Sequence, residues 1–307
     1  MDLIADGIYL SSCHEAEDFG LLETQSIKSI VSIGHGFTAQ FADKGIKYHL
    51  IPIEDDANEN ALDHFDDAVA FITETVAANE KVLVHCMAGV SRSPTFVAAY
   101  LMKSKGLTAP DAVDLIRAAR DIVGPNEGFL TQLDIYQKMG NKVNQDSADY
   151  RRFLLSQAAY EQQQLGTLTK LKMTADPSKQ ALPQKTRYLR CKMCRRQLLA
   201  QDSIIPHEIG AGQSVFQYRK RDNAIQMISQ TVNTAVGSKC SSYCTEPMEW
   251  MTEVGDGYLE GKIVCPNEKC GAKLGAFSWS GIACPCGTWV APAFTINKQK
   301  VDVVGLL

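Results

Sequence analysis

Between Val82 and Leu101 the hydrophobic pattern changes period once, and the first half of the chain is arranged around that change. Val82, Leu83 and Val84 form an unbroken apolar run that ends in His85 and Cys86. After a short stretch of small and polar residues, Phe96, Val97, Tyr100 and Leu101 recur at helical spacing. The pattern predicts a buried strand, a tight loop and a helix. Shorter β-branched segments precede it: Ile8 to Leu10 after a turn at Asp6-Gly7, Ile27 to Ile33 after a short helical piece, and Tyr48 to Ile53. Leu62, Phe65, Val69, Ile72 and Val76 recur at threes and fours, which predicts an amphipathic helix ending near Glu80. Further on, Thr108 reads as a helix N-cap with Pro110 in the first turn and Val113, Ile116 and Ala119 as the inner face. Phe129, Leu133 and Tyr136 suit a last helix after the break at Pro125 to Gly128.

The central loop carries chemistry. A loop entering a helix N-terminus points several backbone N–H groups at one spot, and the helix dipole adds partial positive charge. Gly89 lets the backbone curl close to an anion. Arg92 offers a planar fork that grips two phosphate oxygens. A thiol at the mouth of this cradle, Cys86, loses its proton more easily and becomes a nucleophile for phosphoryl transfer. The oxygen that leaves needs a proton, so a general acid has to come from elsewhere, on a mobile loop. The acidic stretch Glu54-Asp55-Asp56 offers one. His14, His35, His49 and His64 lack metal-ligand spacing and read as surface or packed histidines.

The distribution of cysteine marks a boundary. Of ten cysteines, only Cys13 and Cys86 precede position 191; the other eight lie from Cys191 to Cys286. The start of the chain lacks a charged and then apolar leader, and no apolar run is long enough for a membrane span. The cysteines are therefore expected as thiols and metal ligands rather than disulfides. A net charge of −4 argues against a nucleic-acid footprint over the whole chain. The basic runs Arg195-Arg196 and Arg219-Lys220-Arg221 read as solvated faces or as contacts to RNA or an acidic partner. Residues 143–186, polar, Gln-rich and punctuated by Pro177 and Pro183, read as a partly helical linker between residues 1–142 and 187–307.

In the second half, Cys191 and Cys194 form one knuckle, Cys265 and Cys270 another, and Cys284 and Cys286 a third. His207, Cys240 and Cys244 lie between them. Two four-ligand zinc sites would use eight of these nine. Cys265, Cys270, Cys284 and Cys286 flank a strand pattern from Lys273 to Trp279, like a zinc ribbon, and read as one set. Cys191 and Cys194 then take two of His207, Cys240 and Cys244. Trp279 and Trp289 are expected to pack between the knuckles.

His85-Cys86-Met87-Ala88-Gly89-Val90-Ser91-Arg92-Ser93 resembles the signature loop of the cysteine-based dual-specificity protein phosphatases. The resemblance implies Cys86 as nucleophile, Arg92 as phosphate clamp, and Ser91 as the group that helps break down a phosphocysteine intermediate. Met87, Ala88, Gly89, Val90, Ser91 and Arg92 would line the phosphate site, with Asn126 ordering the loop. Asp55 matches the family's general acid, with Asp56 the alternative one residue on. The second half, with Trp250-Met251 and Cys286-Gly287-Thr288-Trp289, resembles the zinc-binding domain of an atypical branch of that family. This implies two structural zinc ions, with His207 and Cys240 completing the ligands and Cys244 a spare thiol.

The fold class so implied is α/β: a cysteine-phosphatase domain with a central, mostly parallel sheet flanked by helices, plus a small β-rich zinc-binding domain. The implied partners are a phosphoprotein and a pre-ribosomal particle of the large subunit, in nucleus and cytoplasm, with no membrane. Phosphotyrosine, phosphoserine and phosphothreonine all suit a small domain with a shallow pocket, and the absence of Lys within the loop disfavours phosphoinositides. The rival readings are an assembly or adaptor factor acting mainly through the zinc domain, and an RNA 5′-phosphatase using the same loop.

Overall fold

The apolar run at Lys81–His85 is the middle strand of a mixed five-stranded sheet. The computed structural model describes residues 1–5, 7–166, 173–179, 186–208 and 240–305. Asp6 of the expected turn and the run Arg219-Lys220-Arg221 lie outside the described residues. The chain divides into two units, Met1–Asp149 and Tyr150–Leu307.

The first unit opens with β1 (Asp2–Ala5), β2 (Ile8–Ser11), α1 (Cys13–Ala16), α2 (Phe19–Gln25), β3 (Ile27–Ile33) and β4 (Lys47–Ile51). It continues with α3 (Phe65–Ala77), β5 (Lys81–His85), α4 (Arg92–Lys105), α5 (Ala109–Ala119) and α6 (Glu127–Lys138). The sheet order is β1-β2-β5-β3-β4, parallel except for the β1–β2 pair. A strand buried on both faces needs no alternation, which is why Val82, Leu83 and Val84 read as a continuous run. Leu83 packs with Tyr9, Ala16, Leu22 and Ile30 on the α1–α2 side, while its neighbours face the side covered by α3 and α4.

α4 is buried on every side from Arg92 to Met102. A helix with no solvent face carries little amphipathic signal, and it acts as the post around which α3, α5 and α6 pack. Phe96 on α4 meets Phe65 on α3 edge to face at 5.3 Å, and Phe65 meets Tyr136 on α6 at the same distance. The Thr108 cap holds, its side chain accepting from the Asp111 amide. Ala119, expected on the inner face of α5, is exposed; Ala109 and Ala112 are buried there instead.

The second unit begins with α7 (Ala148–Leu165), which falls within the stretch expected as linker. Leu155, Ala158 and Ala159 share one helical face and are buried with Leu198, Trp250, Phe277 and Trp279. That face, at spacings of three and four, makes this stretch packed structure rather than linker. The unit then builds β6 (Tyr188–Cys191), β7 (Gln197–Ala200), β8 (Ile204–Ile205), β9 (Ser242–Thr245) and α8 (Thr252–Gly255). β10 (Glu260–Val264), β11 (Lys273–Ser278), β12 (Ile282–Ala283), β13 (Trp289–Val290), β14 (Ala293–Asn297) and β15 (Val301–Val304) complete it. Three small sheets result, ordered β10-β11-β14-β9-β8, β12-β13 and β15-β6-β7. Trp279 is buried in this core, whereas Trp289 is 43% exposed. Among the described residues, no helix is long and apolar enough to cross a membrane.

Phe96 fills the α3–α4 contact with no exposed surface. Phe96→Ala is expected to destabilise the first unit by roughly 3–5 kcal/mol. The measurement is the denaturant midpoint of the first unit's unfolding, and an unchanged midpoint would contradict the packing described.

Candidate active site and metal centres

The loop after β5 wraps around one sulfur. Cys86 is 1% exposed. The Gly89 amide lies 3.3 Å from its Sγ, and the Ser93 hydroxyl donates to it at 3.2 Å. Burial pushes the Cys86 thiol up, but the Ser93 hydroxyl and the amides of Ser93, Gly89 and Val90 outweigh it and hold the thiol below its ordinary range. A thiolate is therefore favoured where a bare buried thiol would stay protonated.

The amides are aimed from outside the loop. Arg120, just past α5, donates from Nε to the Gly89 carbonyl at 3.1 Å and from Nη2 to the Ala88 carbonyl at 3.0 Å. In a trans peptide the C=O and the following N–H point opposite ways. Drawing the Ala88 and Gly89 carbonyls outward thus turns the Gly89 and Val90 N–H groups inward, toward the sulfur. The carboxylate of Asp2 holds the third arm of the guanidinium at 2.6 Å. Gly89 has φ +72°, and a Cβ there would lie 2.5 Å from the Ser11 carbonyl, so a side chain cannot enter.

His85 sits behind the loop. Burial lowers it to about 4, so its ring is neutral near pH 7. Nδ1 faces the Cys86 carbonyl at 3.3 Å and Nε2 the Ser32 hydroxyl at 2.7 Å. A carbonyl only accepts, so Nδ1 carries the proton and Nε2 accepts from Ser32.

Arg92 lies over the loop with its Nη1 donating to the Ile53 carbonyl at 3.2 Å. Among the described residues its buried Nε has no hydrogen-bond partner, which leaves a charged donor for an anion. Asp55 reaches the same place: its Oδ1 accepts from the Ser91 hydroxyl at 2.6 Å and from the Asn126 side-chain amide at 2.9 Å. Its Oδ2 lies 3.8 Å from Arg92 Nε. Asp56 turns away, accepting from the Asn58 amide at 2.8 Å. Asn126 also caps α6 through its Oδ1, and its backbone N–H donates to Ser91 Oγ at 3.1 Å. Met87 is exposed at the rim, and its Sδ touches Cys13 Sγ at 3.5 Å. The structure thus brings Cys86, Ser91, Arg92, Asp55 and Asn126 together. The roles of Ser93 and Arg120 have no signal in the sequence, because each acts through atoms that any loop and any basic residue could supply.

In the second unit the expected ligands form two groups that could hold metal ions: Cys191, Cys194, Cys265 and Cys270, and His207, Cys240, Cys284 and Cys286. The ligand atoms of each group lie within 4.8 Å of one another. The grouping corrects the expectation, in which Cys265, Cys270, Cys284 and Cys286 made one set. The β11–β14 ladder and the β15–β6 pair bring the end of β6 beside the Cys265-Cys270 knuckle, with Cys194 Sγ 3.5 Å from Cys265 Sγ. His207 Nε2 lies 3.4 Å from each of Cys240, Cys284 and Cys286. Cys244 is buried on β9 outside both groups.

The donor chemistry fits a metal. Burial, with neighbouring thiols added, pushes Cys265 up to about 12 and Cys240 up to about 11. Three or four crowded sulfurs cannot all ionise unaided; a divalent cation would supply the charge that makes them thiolates.

A strand, a phosphate-sized loop around an activated sulfur, and an arginine at the helix start are the architecture of a cysteine-dependent phosphatase. A family model described as "Dual specificity phosphatase, catalytic domain" matches residues 8–139. Dual specificity protein phosphatase 12 of Mus musculus is 34% identical over 308 residues, covering 99% of this chain and 88% of that protein. Tyrosine-protein phosphatase yvh1 of Schizosaccharomyces pombe is 34% identical over 264 residues, covering 83% and 71%. Tyrosine-protein phosphatase YVH1 of Saccharomyces cerevisiae is 31% identical over 290 residues, covering 84% and 78%. The chain belongs to the dual specificity protein phosphatases, in the group that holds dual specificity protein phosphatase 12 and the yeast yvh1 enzymes.

Ser93→Ala removes the hydroxyl donor to Cys86, so the thiol pKa is expected to rise. The pH midpoint for alkylation of Cys86 by iodoacetamide then moves up and modification slows at neutral pH, as read by mass spectrometry of the Cys86 peptide. An unmoved midpoint would mean that the amides alone hold the thiolate. For the metal centres, the double substitution of Cys191 and Cys265 by Ser is expected to leave one group whole and half the bound metal. The double substitution of Cys265 and Cys284 disables both groups. Elemental mass spectrometry of the purified chains separates the two cases, and the opposite outcome would restore grouping by sequence neighbours.

Proposed function

We propose that the chain hydrolyses phosphotyrosine, phosphoserine and phosphothreonine in proteins through a phosphocysteine intermediate. Cys86 Sγ attacks phosphorus as the bond from phosphorus to the side-chain oxygen breaks. Arg92 and the loop amides from Met87 to Arg92 hold the three other oxygens. Asp55 gives its proton to the leaving oxygen. As a carboxylate it then takes a proton from water, whose oxygen attacks phosphorus and releases Cys86; the hydroxyl placed to stabilise the departing thiolate is that of Ser93, not that of Ser91, which is turned to Asp55. The observation that carries this reading is the convergence of Cys86, the Arg92 guanidinium and Asp55 on one spot. Asn126 supports it by tying Asp55 to the loop.

In the same reading the two groups in the second unit hold one zinc ion each, since soft thiolate donors with at most one imidazole suit zinc in four-coordinate structural sites. Zinc there would supply cross-links, not chemistry. The unit would bind a partner, read as a pre-ribosomal particle of the large subunit met in nucleus and cytoplasm; the resemblance of the second half to the zinc-binding domain of an atypical branch of the family supports this. A second reading, an assembly factor for which catalysis is dispensable, is favoured by one observation: the residues read as catalytic all lie in Met1–Asp149 and all eight metal-binding candidates in Tyr150–Leu307.

Phosphate release from phosphotyrosine and phosphothreonine peptides is expected to vanish in Cys86→Ser, and Cys265→Ser is expected to keep turnover while losing partner binding. Activity surviving Cys86→Ser would exclude the covalent route. Partner binding and turnover lost together in Cys86→Ser would exclude separate roles.

A further inference from the structure

The acidic loop is expected to be mobile, yet it lies against α6 at successive points. Asn126 at the helix start holds Asp55. At Gly128, a Cβ would lie 1.8 Å from the Ala57 carbonyl oxygen, so the loop backbone rests on the helix where only hydrogen leaves room. Gln132 is fully buried, and both ends of its amide are used on the loop: Oε1 accepts from the Leu62 amide at 2.9 Å, and Nε2 donates to the Glu59 carbonyl at 2.8 Å. Further along, the Tyr136 hydroxyl donates to Asp66 at 3.0 Å. The partners run in the same order on both segments, so the loop and the start of α3 are laid along about 15 Å of α6.

Gln132 stands out within that series. A buried amide is costly unless hydrogen-bonded, and an apolar residue would pack the α6 face more cheaply. Here the amide supplies the partners that two loop backbone groups would otherwise lack. We propose that Gln132 is a positioning residue for the reaction. With Gly128, it holds the loop so that the Asp55 carboxyl stands at the leaving oxygen before substrate arrives. The proposal rests on Asp55 being the general acid. It adds that the acid is set in place by α6 rather than recruited by the phosphoprotein.

The readout is leaving-group dependence in the full-length enzyme. Phenyl phosphate needs a proton on its leaving oxygen, whereas dinitrophenyl phosphate does not. Asp55→Asn serves as reference and should slow phenyl phosphate far more than dinitrophenyl phosphate. Gln132→Leu and Gly128→Ala are each expected to lower kcat for phenyl phosphate by about 10-fold to 100-fold. Turnover of dinitrophenyl phosphate should stay within about twofold, and inhibition by vanadate, which reports the Cys86–Arg92 loop, should be unchanged. Gly128→Ala removes no hydrogen bond, so it carries the test if Gln132→Leu does not fold. Equal losses on both substrates, or none, in variants that bind vanadate normally would overturn the positioning role while leaving Asp55 as the acid. If Asp55→Asn itself shows no preference between the substrates, the acid assignment fails and the proposal falls with it.

Discussion

The catalytic end of the chain depends on keeping one negative charge where water scarcely reaches. A buried thiolate without partners would take up a proton, since the loss of hydration outweighs any gain from ionising. Cys86 escapes that because a hydroxyl and several amides face its sulfur. Most of what surrounds the loop can be read as the means of holding those donors still. β5 carries the loop at its carboxyl end in the middle of the sheet, Ser11 on β2 blocks any side chain at Gly89, and Arg120 pins the carbonyls outward. The fully buried α4 gives the loop a helix N-terminus that has no room to shift.

The same donors define what the site can take. A charge of one sign sits beneath the loop and a guanidinium of the other sign above it, so the space between favours a tetrahedral anion whose oxygens face amides and whose centre faces sulfur. His85 stays uncharged behind the loop, bonded to Ser32, and adds no charge of its own. Selectivity within the site therefore comes from geometry and from the rim, where Met87 is exposed.

How much was legible in the sequence follows from the range of each signal. The loop from His85 to Ser93 is readable because strand, loop and helix succeed one another within twenty residues and each has its own period. The eight metal-binding candidates are readable because knuckles place two ligands within a few residues. The pairing of knuckles is not, because spacing along the chain carries no information on which strands become neighbours. Cys194 and Cys265 lie 71 positions apart and meet only through the sheets. Arg120 and Gln132 escape notice for another reason: both bind backbone atoms, which look alike at every position. α7 agrees with the partly helical reading of this stretch, but its burial is hidden by composition, since Leu155, Ala158 and Ala159 form a narrow apolar stripe amid glutamines.

The interleaving of the two metal groups fixes the order in which the chain can mature during synthesis. The N-terminal partners Cys191, Cys194, His207 and Cys240 each wait for a knuckle made much later, so neither cluster is complete until Cys270 or Cys286 has left the ribosome. Closing such long segments costs chain entropy that grows slowly with length, which a metal ion held by each group would offset. The first unit needs nothing beyond Asp149 for its internal sheet and can fold while the rest is still being made. A nascent chain cut short before position 270 would then carry a formed phosphatase loop and a set of orphaned thiols. Premature termination in that interval would leave the first unit whole and both metal groups incomplete.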